Sequence, residues 1–311
     1  MMLMIDFRNW MHVHYSVVGT GAAELVCRKI DELKTRLKAN FVVVADDCDG
    51  PTWRHNLLSG YKAGRGAHVA EFAEQMDFAR STLNSAGVPV VSCDGFEADD
   101  VIATIVEANQ SEKIVIASTD KDLRQLLVAG RVILLRRFGR DGLEWFSESD
   151  LEKTGILPSQ FVDWLALVGD ATDCVPGAVG IGEVGATRLI SEFKSLDGVF
   201  AARQNGLLSE SMAIKIAQSV EAIELSKKLV ALRRDVPIKH RWRCMIENES
   251  RDGGDEFQLI CRCPIHFGAG KLYSHVGGKS KLQIAFAGAV RGLVSKYGFF
   301  DPDLMIDEMP N

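Results

Sequence analysis

Short apolar runs alternate with longer amphipathic segments through the first half of the chain. Residues 2–6 and 41–46 are apolar runs that each end on aspartate, and residues 22–38 between them place apolar side chains at helical spacing. The same alternation predicts helices at 69–86, 98–109 and 121–128 and strands at 88–92, 113–118 and 131–137. Strands that alternate with helices of this length predict an α/β fold, with a central, mostly parallel sheet flanked by helices.

The second half of the chain carries the signals of helices. One helix is predicted to begin after Ser147, which would cap it with Asp150 at the third position, and another runs from Pro158 to Val168. Further helices are predicted after a glycine-rich turn within 169–190 and over 208–234. The polar, acidic stretch 247–256 predicts a linker or an exposed hairpin. We assign no element to the residues that follow.

Composition places the chain among ordinary globular proteins. It has 311 residues, of which 47% are hydrophobic and 25% are charged. The longest apolar runs are too short to cross a bilayer, and we expect no membrane association. The first residues show neither a basic segment nor a cleavage site, and seven scattered cysteines form no disulfide framework. We therefore expect a cytoplasmic protein.

Nine carboxylates follow predicted strands or open predicted helices. Because the carboxyl ends of parallel strands meet at one edge of a sheet, we expect these acids to lie together. Helix capping would explain each acid alone, but it does not predict nine at one edge. Crowded carboxylates need cations, and oxygen ligands without His or Cys favour Mg²⁺ or Mn²⁺. The nine are Asp6, Asp46, Glu97, Asp99, Asp100, Asp120, Asp122, Asp170 and Asp173.

Net charge bears on the choice of partner. The formal charge is −6, which disfavours nucleic acid. Without the nine acids the balance becomes −6 + 9 = +3. The rest of the protein is mildly basic, which makes nucleic acid an acceptable partner.

These motifs resemble the 5′-nuclease (flap endonuclease) family, as found in the 5′-nuclease domain of bacterial DNA polymerase I and in stand-alone bacterial and phage relatives. The likeness covers residues 1–236, and its pieces stand in family order. They are Asp6, Asp46, Tyr61-Lys62-Ala63-Gly64-Arg65, Glu97-Ala98-Asp99-Asp100, Thr119-Asp120-Lys121-Asp122-Leu123, Gly169-Asp170 with Asp173, and Pro176-Gly177 with Gly180-Ile181-Gly182.

The resemblance implies a PIN-like 5′-nuclease fold with two Mg²⁺ ions, for which Mn²⁺ would substitute. The first ion would be held by Asp6, Asp46, Glu97 and Asp99 with Asp100 nearby, and the second by Asp120, Asp122, Asp170 and Asp173. Asp99 would be catalytic together with Lys62 and Arg65. A separate question is whether Asp46 or Asp47 faces the first ion; strand alternation favours Asp46.

The resemblance also implies DNA-contacting residues. Lys62 and Arg65 lie in a segment, about 53–70, that corresponds to an arch over the active site, and Arg54 would contact DNA at its base. A solvated basic loop is the alternative. Tyr61 would stack on a base or, equally, pack the arch.

Residues 169–190 resemble a helix–hairpin–helix-type element. Gly180 and Gly182 would let backbone N–H groups approach a DNA phosphate, and relatives hold K⁺ at such an element. An ordinary glycine-rich connection is the alternative. The predicted organisation is a nuclease core at 1–168, this DNA-binding region at 169–236 and a C-terminal extension of unknown role at 237–311.

The extension carries Cys244, Cys261, Cys263, His266 and His275. Their spacing is a poor match to a zinc site, and buried free cysteines with surface histidines are the favoured interpretation.

The expected function is therefore cleavage of DNA at 5′ flaps and 5′ ends, including RNA primers, by a monomer that acts alone or beside a separate DNA polymerase. Two alternatives stay open: a PIN-type ribonuclease and a non-catalytic DNA-junction-binding protein. The glycine-rich element disfavours the first, and the full set of acids disfavours the second.

Overall fold

A six-stranded sheet forms the centre of the molecule. Its strands are β1 (Met2–Asp6), β2 (Phe41–Ala45), β3 (Val90–Val91), β4 (Ile114–Ala117), β5 (Val132–Gly139) and β6 (Gly142–Phe146), in the order β3-β2-β1-β4-β5-β6 across the sheet. The computed structural model describes residues 1–64, 70–139 and 142–238, together with the backbone of three short strands after residue 244. All neighbouring strands are parallel except β5 and β6.

Helices cover both faces of this sheet because its central strands are apolar on both sides; every residue of β1 is buried. One face packs against α1 (Phe7–Val18), α2 (Ala22–Leu37) and α4 (Ala70–Ser85). The other packs against α5 (Ala98–Ala108) and the helical second half. The predicted α/β class with a mostly parallel sheet is confirmed.

The second half of the chain is helical, as predicted, and shares one hydrophobic core with the sheet. The remaining helices are α3 (Trp53–Leu57), α6 (Glu148–Glu152), α7 (Pro158–Val168), α8 (Glu183–Phe193), α9 (Leu196–Gln204) and α10 (Glu210–Val230).

Several elements differ from the prediction, and α3 and α9 are not among the predicted helices. Helix α1 is not among the predicted elements, yet it begins directly after Asp6, which caps it by accepting a bond from the Asn9 N–H. The predicted helix 121–128 is a short 3₁₀ helix, Asp122–Leu126. Strand β6 was not expected because it is a half-buried edge strand that shows little apolar alternation.

Side chains of α10 fasten the glycine-rich turn before α8. The hydroxyl groups of Ser226 and Ser219 accept hydrogen bonds from the N–H groups of Gly177 and Val179, each at 3.0 Å. The Lys215 ammonium donates to the Gly180 carbonyl at 2.9 Å. The turn is therefore held in one shape by the helix behind it.

After α10 the chain returns to the sheet. The Gln125 amide donates to the Val230 carbonyl and accepts from the Leu232 N–H, and the Val236 N–H donates to the Thr104 hydroxyl. Later in the chain, three strands form a separate antiparallel sheet: β7 (Met245–Asn248), β8 (Glu256–Ile260) and β9 (Tyr273–Val276). The cysteine and histidine side chains considered for zinc lie outside the described residues.

No helix in the described ranges combines the length and the apolar character needed to span a bilayer.

Candidate functional site

Parallel pairing aligns the carboxyl ends of three central strands. Asp6 lies opposite Ala45 in β2, and Ile5 lies opposite Ala117 in β4. The residues that end or follow these strands, Asp6, Asp46 and Ser118, therefore lie side by side at one edge. We call this the acidic edge.

Asp6 lies at the centre of the acidic edge. Its carboxylate accepts a 2.6 Å hydrogen bond from the Ser118 hydroxyl, and only 5% of the residue is exposed. Burial raises the pKa of Asp6 to about 7, and the carboxylates of Asp120 and Asp47 add to the increase against the opposing effect of Ser118. A buried acid among other acids is a position that a cation would stabilise.

Asp46 is the more deeply placed of the two aspartates after β2. Its Oδ2 accepts a 2.6 Å bond from Arg80 Nε, and its Oδ1 accepts from the Asp47 N–H. Burial raises the pKa of Asp46, although Arg80 acts in the opposite direction. Asp47 is instead paired with Arg8 at 3.0 Å and caps α5 through the Ala98 N–H.

Glu97 and Asp99 come from the start of α5. Glu97 accepts hydrogen bonds from the Arg54 guanidinium, the Tyr61 hydroxyl and the Lys62 ammonium. Burial raises the pKa of Asp99 well above its usual range, and the carboxylates of Asp120 and Asp6 add to the increase. Asp99 is thus close to acids of both predicted ion sites.

Asp122 supplies an oxygen without a protein partner. Its Oδ1 atom is buried and accepts no hydrogen bond within the described part of the chain. Burial raises the pKa of Asp122 to about 8, and the Asp120 carboxylate is the next cause. Asp170, by contrast, has a lowered pKa: burial alone would raise it, but Lys121, whose Nζ lies 2.8 Å from Oδ2, and the backbone N–H groups of Thr172 and Asp173 together outweigh that effect.

Two glycines hold the loop that carries Asp170 and Asp173. Gly169 has φ +74°, and a Cβ on it would lie 2.7 Å from the Val175 carbonyl oxygen. A Cβ on Gly177 would likewise lie 2.7 Å from the backbone carbonyl group of Val168. The loop therefore requires glycine at both positions.

The acidic edge fits a hard divalent cation. Its donors are carboxylate oxygens, and one of them, on Asp122, has no protein partner. Across residues 1–64, 70–139 and 142–238, no three Asp, Glu, His or Cys side chains already converge closely enough to hold one ion. Protein cations pair with individual acids instead: Arg80 with Asp46, Arg54 and Lys62 with Glu97, and Lys121 with Asp170.

Three predicted roles are corrected by burial. Arg54 is 2% exposed and donates to Asp100, Glu97 and the Leu229 carbonyl, so it cannot contact DNA. Tyr61 is 6% exposed and packs in the core, so it has no face for a base.

The third correction concerns Asp100. Its Oδ2 accepts from the Trp53 indole and Arg54 Nη1, and its Oδ1 accepts from Arg54 Nη2 and the Arg233 N–H. With 0% exposure, it binds the protein rather than an ion.

The other predicted residues divide by location. Lys62 lies at the acidic edge, and its backbone N–H donates to the Asp173 carbonyl. Gly180 lies in the turn before α8 with φ +72°, and Gly182 is the N-cap residue of α8. Arg65 lies outside the described residues.

Sequence reasoning missed Arg80, Ser118 and Lys121 as partners of the edge acids. Lys121 carried a signal, because it stands between two of the nine acids, Asp120 and Asp122. Arg80 carried none, since it lies within a helix far along the chain from Asp46.

The fold and its acidic edge define a resolvase-like α/β domain followed by a helical domain. Residues 6–154 match the family model described as 5′-3′ exonuclease, N-terminal resolvase-like domain. Residues 156–252 match the model described as 5′-3′ exonuclease, C-terminal SAM fold. The chain belongs to the 5′-3′ exonuclease family, which confirms the predicted family.

Curated relatives agree. The chain is 36% identical over 214 residues to the thermostable DNA polymerase I of Thermus thermophilus, covering 66% of this chain and 25% of that protein. It is 32% identical over 234 residues to a 5′-3′ exonuclease of Bacillus subtilis, covering 74% of this chain and 78% of that protein. The chain thus spans about a quarter of the polymerase and most of the exonuclease.

Solved structures share the fold. The bacteriophage T5 5′-exonuclease with bound zinc ions superposes with a TM-score of 0.64 at 22% identity, covering 74% of this chain and 88% of that one. The T5 flap endonuclease, in a pseudo-enzyme-product complex with DNA and metal ions, has the same TM-score, identity and coverage.

Proposed function

We propose that this protein is a divalent-metal-dependent, structure-selective 5′ nuclease that hydrolyses phosphodiester bonds at 5′ flaps and 5′ ends of DNA. The observation that carries the proposal is the acidic edge, where buried carboxylates with raised pKa values lie beside the Lys62 ammonium. An acidic surface alone would repel DNA. The proposal therefore requires cations between the acids and the phosphate.

The ligands divide into two groups. Asp6, Asp46, Glu97 and Asp99 would hold one Mg²⁺ ion, and Asp120, Asp122, Asp170 and Asp173 a second, with Mn²⁺ as a substitute. When bound, the ions lower the pKa of the attacking water and offset the charge that develops on the phosphate. The T5 structures, which contain metal ions, support a divalent metal cofactor.

The chain's own residues do the rest. Asp6 and Asp99, which lie among the edge acids, would hold the cation that orients the attacking water, and the proton that leaves this water passes to solvent as its oxygen bonds to phosphorus. Lys62 exchanges its bond to Glu97 for the scissile phosphate, aided by Arg65. The P–O bond to the leaving nucleotide then breaks, and the oxygen that leaves is reprotonated from water.

The turn before α8 would hold duplex DNA. Gly180 and Gly182 expose backbone beside the N-terminus of α8, a position that suits a phosphate without reading sequence. A K⁺ ion at this turn stays a prediction, and the Lys215 ammonium already donates to the Gly180 carbonyl. A role with RNA primers, a separate polymerase partner, a monomeric state and a cytoplasmic location belong to the same proposal.

Three labelled substrates test the proposal: a 5′-flap duplex, a blunt duplex and single-stranded RNA, each with Mg²⁺ and with chelator. We expect Mg²⁺-dependent cleavage at the flap junction. Cleavage of the RNA alone would favour a PIN-type ribonuclease. Tight flap binding in chelator, with no product in Mg²⁺, would identify a junction-binding protein instead.

A further inference from the structure

Arg80 is the cation that holds Asp46 in this structure. It projects from α4, and its Nε lies 2.6 Å from Asp46 Oδ2. The Asp46 side chain is only 3% exposed, whereas that of Arg80 is 25% exposed. Since Asp46 Oδ1 already accepts from the Asp47 N–H, Arg80 takes the oxygen that the backbone leaves open.

A guanidinium and a divalent ion compete for such an oxygen. Both are attracted by the same carboxylate, and they repel each other at the few ångströms that would separate them. A carboxylate as buried as Asp46 is costly without a cation, so a positive charge must be present in either state. Arg80 meets that need when no ion is bound.

Arg80 also has a second partner that would keep it in place once it leaves Asp46. Its Nη1 lies 2.8 Å from Asp77 Oδ1, one turn earlier on α4, and the Asp77 side chain is 75% exposed. When Arg80 releases Asp46, its guanidinium therefore stays paired with Asp77 and in contact with water. The free-energy cost of moving the guanidinium away from Asp46 is small for this reason.

We propose that Arg80 is a resident counter-cation of Asp46, which a divalent ion displaces, so that Arg80 sets the metal affinity of the acidic edge. The inference rests on the proposed function, because it takes Asp46 as a metal ligand. Arg80 acts through Asp46 and is a positioning residue. The metal-free protein depends on it for stability, and the metal-bound protein does not.

The test compares R80Q with the parent by calorimetric Mg²⁺ titration and by thermal unfolding in chelator and in saturating Mg²⁺. We expect R80Q to bind Mg²⁺ about tenfold more tightly, as removal of one nearby unit charge allows. We expect it to melt a few degrees (~2–4 °C) lower in chelator and to lose that difference in saturating Mg²⁺. R80K keeps the charge but loses the Nε donor, so its Mg²⁺ affinity and its melting temperature in chelator should lie between those of the parent and R80Q. R80K carries the test if R80Q does not fold.

K227Q is the matched control, because Lys227 pairs with one oxygen of the partly buried Asp163 at 2.8 Å while the other oxygen accepts the Leu196 N–H, and Asp163 is not a proposed ligand. It should change the Mg²⁺ affinity by less than about threefold. Unchanged or weaker Mg²⁺ binding by R80Q would overturn the role of Arg80. A parent protein that binds no Mg²⁺ at millimolar concentration would instead overturn the proposed function itself.

Discussion

Arg54 and Asp100 form a two-pronged ion pair, with Nη1 and Nη2 lying 2.7 and 2.9 Å from the two carboxylate oxygens. Their side chains are 3% and 0% exposed. The remaining donor, Nε, bonds the Leu229 carbonyl, and Nη1 also reaches Glu97. Arg54 thus joins the acidic edge to the end of α10 and orients Glu97 from behind.

Replacing Arg54 with alanine should destabilise the protein by about 3–5 kcal/mol, because Asp100 would be left buried and without its cation. Urea unfolding measures the loss. Arg234→Ala is the control, since Arg234 pairs with Glu107 on the surface, and that change should cost no more than about 1 kcal/mol. Equal losses in the two variants would contradict the structural role of Arg54.

Asp99→Asn should reduce flap cleavage at saturating Mg²⁺ at least about a hundredfold while leaving flap affinity in Ca²⁺ near that of the parent. The reason is that Asp99 lies among the edge acids rather than in a DNA-contacting position. Single-turnover kinetics and a binding titration separate the two effects. Asp94→Asn, at an exposed position just before α5, serves as control. Undiminished cleavage by the Asp99 variant would contradict the assignment of Asp99 to the first ion site.

The metal-free protein should lose stability as pH rises from 5.5 to 8.5. The folded-state pKa values of Asp6 and Asp122, about 7 and about 8, exceed those of the unfolded chain, so the folded state binds more protons across this range. The free energy of unfolding therefore falls as these protons leave. Urea unfolding in chelator at several pH values measures the slope.

Asp122→Asn should make that slope shallower. Asp150→Asn should not, because hydrogen bonds from Lys153 and Ser147 lower the pKa of Asp150, whose effect on stability is confined to acid pH. Added Mg²⁺ should stabilise the protein more at pH 8.5 than at pH 5.5. A stability that stayed level or rose with pH in chelator would contradict the raised pKa values of Asp6 and Asp122.

Two glycine substitutions should behave differently. Gly169→Ala should destabilise the fold by about 2–4 kcal/mol, since its Cβ would meet backbone atoms at a positive φ. Gly182→Ala has no atom within 4 Å of its Cβ and should fold normally, but it should weaken duplex binding because a methyl group would stand where a phosphate approaches. Thermal unfolding and a duplex-binding titration give the comparison; normal duplex binding by Gly182→Ala would argue against DNA contact at this turn.

The acidic edge could be predicted because parallel strands end at the same edge of a sheet. Once β1 and β2 are located in the sequence, the positions of Asp6 and Asp46 follow. Asp99 and Asp100 could not be told apart, because adjacent residues at a helix start point in directions about 100° apart. Arg54 was predicted to contact DNA because arginine is rarely buried, and its burial carries no local sequence signal. Arg80 required the packing of α4 against β2, which no local pattern contains.

The return of residues 229–238 to the sheet has a consequence for how the molecule could be divided. The two matched family models meet near residue 155. A cut there would strip Arg54, Asp100 and Gln125 of partners that come from beyond it. The halves therefore form one unit of folding, and any exchange of modules between such proteins has to carry both halves together.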